Sequence, residues 1–231
     1  MKRILSIAFL MVSLNFYGQA TDTLPEVKRT IKVTDPFYRE DQFYIGITHS
    51  ILNKKPEGFG QRSISAGASF GFLRDIPINK QRTVAIAPGF GFAFYNLRHN
   101  MGLINPEIND FVIESGLTRN VQKLTYFEIP LEIRWRNSKM HSHKFWRVYT
   151  GVKYSYLLHS STKYEGYYGK LNFKNNDLVS NSNIGVYVSA GFNTWNFYAY
   201  YGFKPLYKKD IVTPDESYLN MINVGLMFYI L

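Results

Sequence analysis

Six charged residues are candidates for acid–base catalysis or for a buried salt-bridge cluster. They are Glu128, Glu132, Arg134, Arg136, Arg147 and Lys153. Two carboxylates can share acid and nucleophile roles, but Glu128 and Glu132 lie four residues apart in a segment that alternates like a β-strand, which separates them by about 13 Å. That distance exceeds the spacing of about 5–10 Å used in glycoside hydrolysis. We therefore predict a buried salt-bridge cluster with a structural role, and a proton relay or a ligand site is the alternative.

Two histidines suggest metal binding. His141 and His143 are separated only by Ser142, in a short polar segment that holds no carboxylate. The chain has no Cys, which excludes cysteine-containing metal sites, disulfides and a lipoprotein anchor. We predict that this segment is a solvated turn, and that the protein uses neither a metal nor a cofactor.

Eight segments must position these residues, and each alternates between large apolar side chains and small or polar ones. The segments lie near 43–51, 63–72, 84–94, 127–136, 146–156, 184–192, 195–203 and 223–231. Period-2 alternation of this length, interrupted by turns and loops, predicts β-strands. In the fourth segment, for example, Phe127 and Ile129 share one face, whereas Glu128 and Glu132 share the other. The pattern therefore predicts an all-β protein.

The two faces of the predicted strands are arranged for a membrane. One face is continuously apolar or aromatic, and the charges lie on the other face among Gly and Ser. A water-soluble barrel, the alternative, would place its large apolar side chains inside. Tilted strands of about 9–11 residues span the hydrocarbon, and closure leaves no unpaired edge. We predict an eight-stranded antiparallel transmembrane β-barrel of the bacterial outer membrane, filled by side chains rather than by a water channel.

The start of the chain has the features of an export signal. Met1–Arg3 is cationic, residues 4–14 are mostly apolar, and Gly18–Ala20 offers small residues for cleavage. This pattern predicts a secretory signal peptide over residues 1–20, then an extended periplasmic tether over 21–40 and the barrel over 41–231. The formal charge of +10 and the many aromatic residues suit nucleic-acid binding, but export argues against a nucleic-acid partner.

The last strand predicts how the barrel is inserted. Asn223, Gly225, Phe228 and Ile230 form a pattern that resembles the terminal strand by which outer-membrane barrels are recognised and inserted. The edge strand of an ordinary sandwich is the alternative for this segment taken alone. With the export signal, the pattern favours insertion.

Loop lengths and tryptophans predict the orientation. The long connections lie near 53–61, 96–121, 159–182 and 208–217, and the short ones near 74–81, 137–144 and 193–194. Outer-membrane barrels have long loops outside and short turns in the periplasm, so we predict that both termini are periplasmic. Trp135, Trp146 and Trp195 then face outward at the periplasmic rim, where we expect them to be interface anchors.

Several segments resemble the PorT family, which is called SprT in gliding bacteria. They are 127–136 (FEIPLEIRWR), 144–154 (KFWRVYTGVKY), 161–166 (STKYEG), 193–197 (NTWNF) and 225–231 (GLMFYIL). The resemblance covers nearly all of 41–231, and the first two segments are its most specific part. It implies a small outer-membrane barrel required by the type IX secretion system, which exports proteases, adhesins and gliding-motility proteins. It implies no catalytic residues.

We therefore expect a non-enzymatic protein that supports assembly or operation of type IX secretion, in contact with outer-membrane lipids and other components of that system. A lipid-A-modifying barrel and a surface adhesin are the alternatives. His49 and Ser50 resemble the lipid-facing His and Ser of barrel lipid-A deacylases, but adjacent strand residues point to opposite faces. Tyr164, Tyr167 and Tyr168 would suit contact at the cell surface.

Overall fold

The computed structural model describes residues 41–61, 63–105, 107, 110–114, 116–137, 146–175, 177–192, 194–208 and 219–230. All of them belong to the unit Phe37–Leu231. The predicted signal peptide, the predicted tether and the His141–His143 segment lie outside the described residues. Within the described ranges, no helix is long and apolar enough to cross a membrane.

Twelve strands occur in the part of the chain that the structure describes. They are β1 (Gln42–Asn53), β2 (Ala66–Leu73), β3 (Ile76–Pro77), β4 (Val84–Arg98), β5 (Met101–Asn105), β6 (Asp110–Ile113), β7 (Arg119–Arg136), β8 (Trp146–Gly166), β9 (Gly169–Lys174), β10 (Ser182–Phe192), β11 (Trp195–Pro205) and β12 (Asn220–Ile230). Each of the eight alternating segments predicted from the sequence corresponds to one of the longer strands.

Eight of these strands form one closed antiparallel barrel, which confirms the predicted fold. The order around the barrel is β1, β2, β4, β7, β8, β10, β11 and β12. The barrel closes because β12 pairs with β1, from Phe43 opposite Ile230 to Asn53 opposite Asn220. The end of the barrel that carries Gln42 and Ile230 is called the turn end here. The opposite end, where β8 reaches Gly166, is called the loop end.

Alternation along each strand produces an apolar outer wall and a mixed lumen. Phe70, Phe92 and Phe127 lie side by side on the outer wall, with ring centroids 5.9 Å and 5.5 Å apart. Glycines on the inner face make room for large lumen side chains, because a Cβ atom at Gly91 would collide with the hydroxyl oxygen of Tyr44. The outer wall is therefore suited to lipid, and the lumen is densely filled.

The loop end differs from the sequence prediction, which places long loops near 96–121 and 159–182. Strand β7 already begins at Arg119, and β8 continues to Gly166 before β9 folds back on it. Strands β5 and β6 form a separate two-stranded hairpin between β4 and β7. The predicted loops are thus largely ordered strands, because backbone pairing continues well beyond the apolar alternation.

Candidate functional site

An ion network fills the turn-end half of the lumen. Arg134 lies at its centre, with Nε 2.7 Å from Oε2 of Glu132 and Nη1 3.1 Å from Oδ1 of Asp75. The other carboxylate oxygen of Asp75 lies 3.0 Å from Nη2 of Arg136. All four residues are buried. Because residues two apart on a strand share a face, β7 supplies three of these charges, and the segment after β2 supplies the fourth.

A separate ion pair joins β7 to β8. Nζ of Lys153 lies 2.9 Å from Oε1 of Glu128. The same ammonium group donates to the Tyr198 hydroxyl at 3.2 Å and lies 4.5 Å from the centre of the Tyr200 ring. The Ser155 hydroxyl also donates to Oε1 of Glu128, at 3.4 Å. Both buried charges are therefore neutralised and hydrogen-bonded, as a low-dielectric interior requires.

Tyrosines complete the wall around the network. The Tyr187 hydroxyl donates to Oε1 of Glu132 at 2.9 Å. The guanidinium group of Arg134 lies 4.8 Å from the centre of the Tyr149 ring, within the range in which a ring attracts a cation. Tyr149 packs edge-on against Tyr229, with ring centroids 5.1 Å apart. These rings surround the charges and hold them in place.

All six predicted lumen charges lie in the lumen. Five of them form the two groups just described, and Arg147 is buried with its guanidinium group 5.9 Å from the centre of the Tyr229 ring. Asp75 is not among the predicted lumen charges, because the sequence places it in the short turn near 74–81. Asp75 lies two residues after the buried Leu73, so extending the inward alternation of β2 by one step would have found it.

The ion network leaves no room for a substrate. The cavity between Glu128, Glu132 and Lys153 has a volume of about 10 Å³, which is about the least space that one water molecule needs. Each of the two carboxylates contacts a cation, at 2.9 Å and 2.7 Å. The arrangement can hold the barrel wall in shape, but it has no space for a sugar or an acyl chain.

A hydrophobic cluster closes the loop-end half of the barrel, and we call it the cap cluster. Its buried members are Leu52, Ala93, Tyr95, Leu97, Met101, Leu103, Leu124, Tyr126, Leu178, Val179, Leu206, Tyr207, Leu219 and Met221. The β5–β6 hairpin joins the cluster through Met101 and Leu103, and Phe111 packs edge-on against Tyr207 with ring centroids 5.1 Å apart. Several of these residues lie in predicted loops, so the cluster was not predicted from the sequence.

The connection between β1 and β2 is fixed to the cap cluster. Gly58 has a φ of 76°, a left-handed conformation that favours glycine. Its carbonyl accepts a hydrogen bond of 2.9 Å from the Asn100 amide, and the Gly60 N–H donates to Oδ1 of Asn100 at 2.7 Å. Phe59 stacks on His99 with ring centroids 5.4 Å apart. The described part of this connection is therefore held against the start of the β5–β6 hairpin.

A polar cavity of about 360 Å³ opens beside these residues. Its lining includes the exposed side chains of Arg98 and Arg119 and the buried side chains of His99 and Asn120. Burial lowers the pKa of His99 to about 4, so the imidazole is neutral at pH 7. The amide nitrogen of Asn120 lies 3.2 Å from Nδ1 of His99. The lining also includes Glu114, so the cavity has two cations and one carboxylate in its wall, beside the neutral imidazole of His99.

Comparison with known proteins assigns the fold to a family. A sequence model of the outer membrane protein beta-barrel domain matches residues 33–208. The chain belongs to this family. It is also similar to two solved structures of Ail, the attachment invasion locus protein of Yersinia pestis, one of them in complex with the heparin analogue sucrose octasulfate. The structure of the complex is 13% identical with a TM-score of 0.39, and the alignment covers 82% of this chain and 99% of Ail. The other structure is 14% identical with a TM-score of 0.37, and the alignment covers 81% of this chain and 97% of Ail. No curated protein sequence matches.

Membership of the outer membrane protein beta-barrel family means that the apolar outer wall faces lipid. Trp135, Trp146 and Trp195 are exposed on this wall at the turn end, with 47%, 62% and 62% of their surface accessible. Trp146 packs on Phe192 and Trp195 packs on Phe228, each with ring centroids 5.4 Å apart. The three tryptophans therefore lie at one rim of the barrel, and their role as interface anchors stays a prediction.

The last described strand of this outer-membrane barrel alternates between lumen and lipid. Asn223 is buried and donates from Nδ2 to the Tyr95 hydroxyl at 3.2 Å, whereas Ile230 is 50% exposed. Phe228 lies on the outer wall against Trp195. A Cβ atom at Gly225 would collide with the backbone of β1. The structure places these four residues in the closing strand, and their role as an insertion signal stays a prediction.

The remaining catalytic candidate is the adjacent pair of His49 and Ser50 on β1. His49 is exposed on the outer wall, and Ser50 is fully buried in the lumen. The two side chains point to opposite faces of the strand, as the alternation requires. They therefore do not form a nucleophile and base in hydrogen-bonding contact.

Proposed function

We propose that this outer-membrane barrel is a non-enzymatic binding protein that acts through the surface of its loop end. The observation that carries the proposal is the double closure of the lumen, by the ion network in one half and by the cap cluster in the other. A barrel of eight strands filled in this way offers no route for a solute or a protein. Its surface is then the part available to partners. Long connections face outward in such barrels, so the proposal places the loop end outside the cell and both termini in the periplasm.

Type IX secretion is the process that we propose for this binding function. The support is the resemblance of residues 127–136 and 144–154 to the PorT family. These residues contribute to β7 and β8. The two strands carry three residues of the ion network and both residues of the Glu128–Lys153 pair, so the resemblance lies in the barrel wall. In this proposal the partner is another component of the secretion system, which contacts the loop end or the residues before β1.

Deletion of the gene in its own host tests the secretion role. We expect cargo proteins of type IX secretion to accumulate in the cell envelope, with no change in small-solute permeability or in the mass of lipid A. A copy of the wild-type gene should restore secretion. Normal secretion in the deletion strain would contradict the role. A change in lipid A mass would instead support a lipid-A-modifying enzyme.

Surface adhesion is the second candidate function, and an exposed aromatic pair favours it. Tyr167 and Tyr168 form the turn between β8 and β9, where they are 88% and 52% exposed. Their rings contact edge-on, with centroids 5.4 Å apart. Tyrosine is enriched in the centres of protein-binding surfaces. The tip of this hairpin is therefore suited to contact another protein.

Substitution of both tyrosines by serine separates adhesion from secretion. The variant Tyr167→Ser/Tyr168→Ser should lower attachment of the cells to host proteins while the barrel still inserts. The matched control is Lys170→Ser/Asn172→Ser, which changes exposed positions of the same hairpin. If attachment is unchanged and secretion fails, the hairpin tip acts in secretion. If neither changes, the tip is not a binding surface.

A further inference from the structure

Five cations lie on the outer wall at the loop end, at neighbouring positions of β4, β7, β8 and β9. They are Arg98, Arg119, Lys123, Lys163 and Lys174, which we call the basic patch, and all five side chains are exposed. The patch covers one side of the barrel only.

The strand register places four of these cations in two adjacent rows. In each row a neutral residue separates two cations: Lys123, Ser161 and Lys174 in one row, and Arg98, Val121 and Lys163 in the next. Directly opposed residues lie about 5 Å apart, so the two cations of a row are about 10 Å apart. Arg119 follows two residues beyond Val121 on the same face of β7.

None of the five cations of the patch has an acidic partner among the residues that the structure describes. The acidic residue opposite Arg119 is Glu165, and its carboxylate lies 2.6 Å from Nζ of Lys170. The nearby Glu114 accepts a hydrogen bond of 2.6 Å from the Tyr164 hydroxyl. Like charges at this spacing repel one another. A bound anion would remove that repulsion.

The basic patch lies at the height of lipid head groups. The outward row next to it, towards the turn end, consists of Phe94, Thr125 and His159, and the row after that contains Phe92, Phe127 and Tyr156. Between Trp135 and Thr125, β7 runs the length of a transmembrane strand, about 9–11 residues. Lys123 is therefore the first outward residue of β7 beyond the apolar span.

We propose that the basic patch binds the phosphate groups of a phosphorylated glycolipid, of the lipid A type, in the leaflet at the loop end. Arginine binds phosphate through two parallel hydrogen bonds. Arg98 and Arg119 also line the cavity of about 360 Å³ into which a head group can extend, and Glu114, which accepts a hydrogen bond from Tyr164, lines the same cavity. The acyl chains of the lipid lie against Phe94 and Phe127 below. That this leaflet is the outer one rests on the orientation given under the proposed function.

Lipid titration of the purified barrel tests this inference. The protein is placed in phosphatidylcholine nanodiscs that contain diphosphoryl lipid A, and the bound lipid is counted by native mass spectrometry. The variant Lys123→Gln/Lys163→Gln should bind lipid A about 30-fold more weakly, since each basic residue near a charged lipid contributes about a fivefold change. The matched control Arg74→Gln/Lys80→Gln removes two exposed cations at the turn end and should bind as the wild type does. Raised salt should weaken wild-type binding.

Three results would overturn the inference. Equal losses in both variants would show a response to net charge alone, and equal binding of dephosphorylated lipid A would remove the phosphate from the recognition. Binding of inorganic phosphate in neutral nanodiscs, as tight as that of lipid A, would assign the patch to a free anion. Heat-modified mobility in gels verifies that each variant is folded. Because the assay uses purified protein, its failure is distinguishable from a failure of the secretion or adhesion roles.

Discussion

Asp75 is the side chain on which the ion network depends most. Its two carboxylate oxygens contact Arg134 at 3.1 Å and Arg136 at 3.0 Å, and it is fully buried. Without it, the buried guanidinium groups of Arg134 and Arg136 would each lose an ion pair. A buried charge that loses its partner costs far more than the intact pair contributes. Barrel stability should therefore respond strongly to this residue.

The variant Asp75→Ala should lower the free energy of unfolding by about 3–5 kcal/mol. The double variant Asp75→Ala/Arg136→Leu should recover part of the loss, because one of the two buried cations that Asp75 contacts is removed with it. Urea unfolding in lipid vesicles, followed by tryptophan fluorescence, measures both. The control is Glu165→Ala, which breaks the exposed pair with Lys170 and should cost at most about 1 kcal/mol. Additive effects of the Asp75 and Arg136 substitutions would contradict the network.

The face of the strand on which each side chain lies could be predicted from the sequence, but the side chains that it contacts could not. Period-2 alternation decides that Glu128, Glu132 and Lys153 point into the lumen. It does not say that Tyr187 of β10 donates to Glu132 of β7 at 2.9 Å, because that contact passes over Gly151 of β8 and depends on the register of three strands. Asp75 was missed because the second predicted segment ends at residue 72, although the inward alternation continues through Leu73 to Asp75.

Strand β7 passes through three environments along its length. From Trp135 to Thr125 its outer face lies against lipid, from Lys123 to Arg119 it carries cations, and its inner face holds the ion network. One strand therefore fixes the height of the apolar span relative to the basic patch. A charge placed within the span should cost more than the same charge at its edge.

The pair Ile129→Arg and Thr125→Arg tests this register of β7 in the membrane. Ile129 is 49% exposed on the outer wall, near the middle of the span, so arginine there should lower the free energy of unfolding by about 2–4 kcal/mol. Thr125 lies beside the basic patch, and arginine there should cost about 0–1 kcal/mol. Reversible unfolding in vesicles measures the difference. Equal costs at the two positions would mean that the membrane boundary lies elsewhere.

The eight barrel strands could be predicted because each carries a long alternating pattern, whereas β5, β6 and β9 lack one. Met101–Asn105 and Asp110–Ile113 are too short to show a period. Gly169–Lys174 alternates between polar and apolar residues over only six positions, and it forms a strand because it pairs with the extension of β8. Tertiary packing, here against the cap cluster and β8, decides such segments. The residue pattern within such a segment does not predict this packing.

The fold of the described barrel follows from two requirements that the sequence makes visible. Apolar faces on every strand must meet lipid, and the strands must close so that no backbone group is left unpaired in it. The cap cluster follows from neither requirement. It collects residues as far apart as Leu52 and Met221, so only the assembled barrel shows that the lumen is closed at both levels.

Two closures in series lead to a prediction for ion conductance. In planar bilayers the wild-type barrel should show no steady conductance steps. Asp75→Ala weakens only the ion network. Replacement of the β5–β6 hairpin by a short Gly–Ser linker weakens only the cap cluster. Each change alone should therefore give no conductance steps. The combination should conduct, because water then enters from both ends. A wide porin in the same bilayer serves as the positive control. Conductance steps in the wild-type protein would show an open lumen and would remove the main support for a binding function.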